Sequence, residues 1–106
     1  VFDQLGSPTY ARDLAQFILT AIEKGIVPGV YHFTNEGVCS WYDFTRTIHK
    51  LAGIDDCKVS PIHTADYPVA AKRPHYSVLD KTKVKQTYNI DIRWWEDALK
   101  ECIKEL

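Results

Sequence analysis

No apolar run in this 106-residue chain approaches the roughly 20 residues a membrane-spanning helix needs, and no charged segment leading into an apolar stretch opens it. Neither sign of charge dominates: 13 basic residues face 14 acidic ones, for a formal net charge of −1. Nothing electrostatic therefore points to nucleic acid or an anionic membrane surface as a partner. The three cysteines, Cys39, Cys57 and Cys102, are widely spaced. They form no Cys-x-x-Cys pair and no Cys/His cluster of the kind that closes a zinc tetrahedron. A soluble, cytoplasmic, reduced chain is expected. The five glycines (6, 25, 29, 37, 53) contain neither a dinucleotide fingerprint nor a Walker loop. Tyr10, Tyr31, Tyr42, Tyr67, Tyr76 and Tyr88 all lack a lysine four residues on. A nucleotide cofactor has no cradle in these residues, and none of them is expected to be catalytic.

What is present reads as alternating helices and short strands. The length suits one domain around one core, burying roughly two-thirds of its unfolded surface. Apolar residues at 11, 14, 15, 17, 18, 21 and 22 predict a helix over 8–24. Pro8 is its first position, Ser7 or Thr9 its cap and Gly25 its stop. A strand-like Val1-Phe2 turns into it at Gly6. Pro28-Gly29 leads into Val30–Thr34, whose β-branched and aromatic content predicts a strand. Ser40 with Asp43 forms a capping box for a helix carrying Trp41, Phe44, Ile48, Leu51 and Ala52 on one face and ending at Gly53.

Lys58–Ile62 is a weaker strand candidate, demoted to an edge by Pro61. From 63 to 77 no period holds, and two prolines and two tyrosines mark an ordered functional loop. Asp80 caps a short helix over 81–86, and Trp95, Ala98, Leu99, Cys102, Ile103 and Leu106 define a last helix. The fold class is a small mixed α/β lobe of about four helices with two or three short strands.

Few side chains suggest chemistry. His63 and Asp66 beside His32 or Glu36 make a weak metal motif, better read as loop polar residues. His49 reads as a surface side chain and Lys81, Lys83 and Lys85 as a solvated face. Arg73-Pro74 is stronger, because a guanidinium is always charged, presents a planar fork to phosphate oxygens and is aimed here by a stiff backbone. Tyr67 and Tyr76 flank it and could stack on a base or sugar. Pairing of Arg73 with Asp66 or Asp80 to fasten the loop is an equally good reading of the residue types.

Five blocks carry a resemblance. They are Asp3-Gln4 and Gly6-Ser7-Pro8-Thr9-Tyr10 with Asp13-Leu14-Ala15; Gly29-Val30-Tyr31-His32; Gly37 with Cys39-Ser40-Trp41-Tyr42 and Phe44; Arg73-Pro74 with Tyr76-Ser77 and Leu79-Asp80; and Trp95. In this order they resemble the C-terminal part of the dTDP-4-dehydrorhamnose reductases, of the extended short-chain dehydrogenase/reductase superfamily. The resemblance implies that residues 1–106 are the single C-terminal substrate-binding domain of a truncated two-domain reductase. The whole enzyme would reduce dTDP-4-dehydro-L-rhamnose to dTDP-L-rhamnose with NADPH or NADH. Its N-terminal Rossmann half would supply the dinucleotide loop and a Tyr-x-x-x-Lys pair. The fragment alone is then inactive and binds no cofactor.

The resemblance also implies that Arg73, with Pro74 and Tyr76, holds the substrate's diphosphate, and that Ser7, Thr9 and Trp41 shape the pocket. Capping explains Ser7 and Thr9 as well, and core packing is the preferred reading of Trp41. The implied partners are a dTDP-sugar, the chain's own Rossmann half and, through an apolar face left bare, a second copy in a homodimer. The alternatives are another extended-family sugar-nucleotide epimerase or dehydratase, or a non-catalytic relative such as the methionine adenosyltransferase regulatory subunit. The rhamnose-branch blocks favour the reductase.

Overall fold

The computed structural model describes residues 1–106. The chain runs β1 (Leu5–Gly6), α1 (Ala11–Lys24), β2 (Cys39–Ser40), α2 (Trp41–Ala52), a 3₁₀ turn (Thr64–Asp66), β3 (Tyr76–Ser77), α3 (Thr82–Tyr88) and α4 (Trp95–Lys104). It is the expected α/β lobe of four helices and three very short strands. β1 lies at the centre of the ladder, antiparallel to β2 through Leu5–Ser40 and Gly6–Cys39, and parallel to β3 through Leu5–Tyr76 and Gly6–Ser77. Strand and position are thus corrected at the N-terminus. Val1-Phe2 is not the strand, and Gly6 is a ladder residue rather than a turn.

Local chemistry explains α2. Ser40 Oγ accepts the Asp43 N–H at 3.0 Å, the Asp43 carboxylate accepts the Ser40 N–H at 3.0 Å, and Gly53 closes the helix at φ 67°. α1 behaves otherwise. It starts at Ala11, later than expected, and neither Ser7 nor Thr9 caps it. Its N-cap residue, Tyr10, is held from a distance, its N–H donated to Asn35 Oδ1 at 2.7 Å. Asn35 is 1% exposed and passes its own amide proton to Asp13 Oδ2 at 2.7 Å. Arg93 clamps the same carboxylate with two bonds, Nε at 2.8 Å and Nη2 at 2.6 Å. One buried amide and one ion pair thus join the start of α1 to the approach to α4.

The stretch Val30–Thr34 forms no strand, because no neighbouring strand offers its backbone a ladder. Only Glu36 pairs, in a parallel bridge with Trp94. Lys58–Ile62 is likewise no strand, and its one backbone tie is the Phe2 N–H donated to the Ile62 carbonyl at 3.0 Å. The single core expected from length is instead two small clusters. Ala21, Val84 and Tyr88 pack with Phe17, Tyr31, Ile90 and Ile92, while Cys39, Trp95 and Leu99 pack with Phe44, Ile48, Leu51 and Ile103. A body of 47 × 33 × 19 Å is too flat for one interior.

The lysines are not a solvated face. Lys81 is buried within 3.9 Å of Glu36, Lys85 pairs with the same carboxylate, and Lys83 donates to the Val30 carbonyl at 2.9 Å while lying over the Tyr31 ring. α1 does expose an apolar stripe, since Leu14, Ile18, Leu19 and Ile22 face outward, Ile22 at 57%.

Hydrogen bonds from Arg93 and then Asn35 hold the Asp13 carboxyl below the ordinary carboxylate range. A carboxyl depressed in the folded state contributes stability that is complete above its unfolded value, near about 3.9, and lost as pH falls through the folded value. Urea midpoints measured from pH 7 downward are expected to drop most steeply below about pH 4. Asp13→Asn should start lower at pH 7 and flatten that descent; an unaltered acid limb would contradict the assignment.

Candidate functional site

The ladder gathers three remote segments around one open cleft of about 730 Å³. Gln4 to Thr9 form one wall, Cys39 to Trp41 with Phe44 a second, and Arg73, Pro74 and Ser77 a third. Of the thirteen lining residues Arg73 alone is charged. The carboxylates that could have fastened it are engaged elsewhere: Asp66 accepts the His63 N–H at 3.0 Å and Asp80 the Thr82 N–H at 2.8 Å. The guanidinium is exposed and carries no internal counter-ion. The loop-fastening reading of Arg73 is thereby set aside.

Trp41 overturns its expected core placement. It is 62% exposed at the lip of the cleft, because Phe44, Ile48 and Leu51 take the inward face of α2 and leave the first turn pointing outward. Ser7 lines the cleft, yet its hydroxyl donates to the Gly37 carbonyl at 2.6 Å, so toward a ligand it offers lone pairs only. Thr9 stands exposed at the rim. Tyr76 does not line the cleft. Successive strand residues face opposite ways, and Ser77 takes the cleft side.

Two of the first-turn amides of α2 are already engaged, since Tyr42 N–H donates to the Val1 carbonyl at 3.1 Å and Asp43 N–H to Ser40. Cationic attraction in the cleft therefore comes from Arg73. No carboxylate, histidine, lysine or tyrosine lines the cleft with it. Burial first, then the carboxylates of Asp43 and Glu96, pushes the Cys39 thiol up to about 11, which keeps it protonated at neutral pH. Tyr10 is occupied with Glu105 at 2.7 Å. The weak metal motif disperses too, with Glu36 bound to lysines and His63 edge-on to Phe2 at 4.7 Å.

The glycines do not fit a dinucleotide. Gly25 and Gly53 close helices, Gly6 sits in the ladder, and Gly37, at φ 96°, lies under the indoles of Trp94 and Trp95, where an added Cβ would come within 2.7 Å. None opens a helix as a phosphate cradle.

Sequence reasoning placed Arg73, Pro74, Ser7, Thr9 and Trp41 at the pocket, and all five line the cleft, but it missed Gln4, Cys39, Phe44 and Ser77. All four carried a signal, lying inside the blocks that also hold Gly6, Trp41 and Arg73.

A small α/β lobe with an open, singly cationic cleft defines the class: a substrate-binding domain. The family model of the RmlD substrate binding domain matches residues 1–106, and the chain belongs to that family. It is similar to the dTDP-4-dehydrorhamnose reductase of Aggregatibacter actinomycetemcomitans, at 44% identity over 94% of this chain and 37% of that protein. Among solved structures, a dTDP-4-dehydrorhamnose reductase from Clostridium acetobutylicum superposes with a TM-score of 0.90 at 44% identity, over 99% of this chain and 37% of the other. The enzyme of the same name from Bacillus anthracis, in complex with NADP, gives 0.88 at 33% identity, over 98% and 36%. The chain thus spans little more than a third of the length of these relatives, and no helix in it is long and apolar enough to cross a membrane.

Thiol reactivity checks the burial of the cleft's second wall. Brief iodoacetamide treatment of the folded chain at pH 7.5 is expected to modify exposed Cys57 and spare Cys39, read by peptide mass spectrometry. Equal labelling of the two would contradict this packing.

Proposed function

We propose that residues 1–106 are the sugar-nucleotide-binding lobe of a dTDP-4-dehydrorhamnose reductase. The whole enzyme converts dTDP-4-dehydro-L-rhamnose to dTDP-L-rhamnose with NADPH. The observation that carries this reading is Arg73, the one charged group of the cleft, unpaired and facing an exposed Trp41 wall. A guanidinium binds a diphosphate through parallel N–H···O bonds, and an indole face offers a stacking surface for a pyrimidine. Pro74 stiffens the backbone behind the arginine, Thr9 offers a hydroxyl at the rim, and Tyr76 supports β3 from the opposite face.

Holding the diphosphate far from the reacting carbon is catalytic in effect, because it orients the keto-sugar instead of merely raising affinity. The residues of this lobe bind and orient. The dinucleotide and the proton donor belong to a Rossmann half outside them, so the lobe alone turns over no substrate. That half is also the natural cover for the apolar stripe of α1 and for exposed Val30.

Calorimetry with dTDP tests the site. The 106-residue chain should bind dTDP, and Arg73→Ala should weaken binding by about 1.5–3 kcal/mol, the range for a hydrogen bond to a charged group. Unchanged affinity in Arg73→Ala would remove the residue from the site. The bare stripe predicts a second outcome: light scattering of the 106-residue chain should show mass rising with concentration toward a dimer, and Ile18→Lys should abolish the rise. A strict monomer at millimolar concentration would sink the stripe as a covered surface.

A further inference from the structure

Arg73 sits on a segment with little internal support, since residues 68–74 make no intramolecular hydrogen bond between Tyr67 and His75. Both ends of that segment are tied to one residue. On the near side, Asp3 Oδ1 accepts the Thr64 N–H at 2.9 Å and the Thr64 hydroxyl at 2.7 Å, and Oδ2 lies 3.1 Å from the same N–H. On the far side, the Asp3 carbonyl accepts Nδ1–H of His75 at 2.7 Å; a carbonyl has no proton to give, so this bond fixes the His75 tautomer. The Leu5 N–H, donated to the His75 carbonyl at 2.8 Å, continues the tie into the ladder. Phe2 reinforces the near end through its N–H on Ile62 and its ring on His63.

We propose that Asp3 is a positioning residue for Arg73: with its side chain on Thr64 and its backbone on His75, it clasps the two ends of the 64–75 loop and holds the guanidinium over the cleft. Asp3 is not among the residues lining the cleft, so it acts through the loop and not on the ligand. The position of Arg73 two residues before His75, with Pro74 between them, transmits the tie, because proline restricts both its own φ and the residue before it. A loop this poorly bonded has a large ensemble when one end is released, and a guanidinium bound in a fork loses most from that freedom. His63 and His75 bring their Nδ1 atoms to 3.8 and 3.9 Å from Asp3 Oδ2, Asp66 holds the His63 N–H, and Gln4 donates to the Thr64 hydroxyl at 3.3 Å.

The inference rests on the diphosphate reading of Arg73, and its test separates the two. Affinities for dTDP and for thymidine, which lacks the diphosphate, are measured for the 106-residue chain and for Asp3→Ala, Thr64→Val, Arg73→Ala and Asp3→Ala/Arg73→Ala. The clasp predicts a loss of about fivefold or more for dTDP in Asp3→Ala and Thr64→Val and no change for thymidine. It also predicts no further loss when Asp3→Ala is added to Arg73→Ala, the non-additivity of residues acting as a unit. Equal losses for both ligands, or additive losses in the double variant, would overturn it.

Amide exchange supplies the readout that does not depend on the ligand. Asp3→Ala should speed exchange of the hydrogen-bonded amides at the loop's two ends, Asp66 and Tyr67 on the near side and Leu5 on the far side, by about tenfold or more while α1 and α4 keep their protection. If wild-type chain fails to bind dTDP and the loop is still released, the diphosphate reading falls and the clasp stands. If the loop's exchange is unchanged, the clasp falls. Thr64→Val keeps the test open should Asp3→Ala fail to fold, because it leaves the Asp3 carboxylate on the Thr64 N–H and deletes only the hydroxyl's two bonds, one donated to Asp3 and one accepted from Gln4.

Discussion

The backbone pairing of Leu5 and Gly6 on both of their edges is the constraint from which the rest of this lobe follows. Two residues hold together segments 33 to 35 and 71 positions away, antiparallel on one side and parallel on the other. So short a ladder stabilises little by itself, and its neighbours complete it: the Ser40–Asp43 capping box behind β2, the His75 tie behind β3, and Ser7 on Gly37. Each of these also shapes a wall of the cleft. Fold and site are therefore built from the same bonds, and a change that loosens the ladder widens the site.

Charge is distributed by the same logic. Asp13 with Arg93 and Glu36 with Lys81 and Lys85 are carboxylates satisfied inside the framework, and Tyr10 and Arg12 meet Glu105 at the surface between α1 and α4. What remains at the cleft is one guanidinium without an internal partner. In the proposed reading a ligand supplies its counter-charge, and the exposed Trp41 indole in the same cleft suits a ligand with a planar portion as well as a negative one. The family to which the chain belongs, whose relatives are named as dTDP-sugar reductases, agrees with both requirements.

How much of this was legible in the sequence depended on how far each residue's partner lies along the chain. α2 was readable in full, because Ser40, Asp43 and Gly53 act within a few residues of one another. The start of α1 was not, since its N-cap residue, Tyr10, is held by distant Asn35, and Pro8 and Thr9 imitate a local start that the chain passes over. Val30–Thr34 has the composition of a strand, but a strand also needs a neighbour, which composition cannot supply. The lysines of α3 looked solvated because Glu36 and the Val30 carbonyl are some fifty residues away. In the site, Arg73 declared itself through its chemistry, whereas Trp41 was misjudged: periodicity put it on the apolar face, and only the packing of Phe44, Ile48 and Leu51 turned it to the lip.

The central claim is that one cleft, assembled by β1, receives the nucleotide diphosphate. The most direct test is a ¹H–¹⁵N chemical-shift titration of the 106-residue chain with dTDP. The account predicts saturable shifts confined to Leu5–Thr9, Cys39–Phe44 and Arg73–Ser77, together with the Arg73 side-chain Nε–H and the Trp41 indole N–H. Shifts centred instead on α3 and α4, or none at millimolar dTDP, would contradict it.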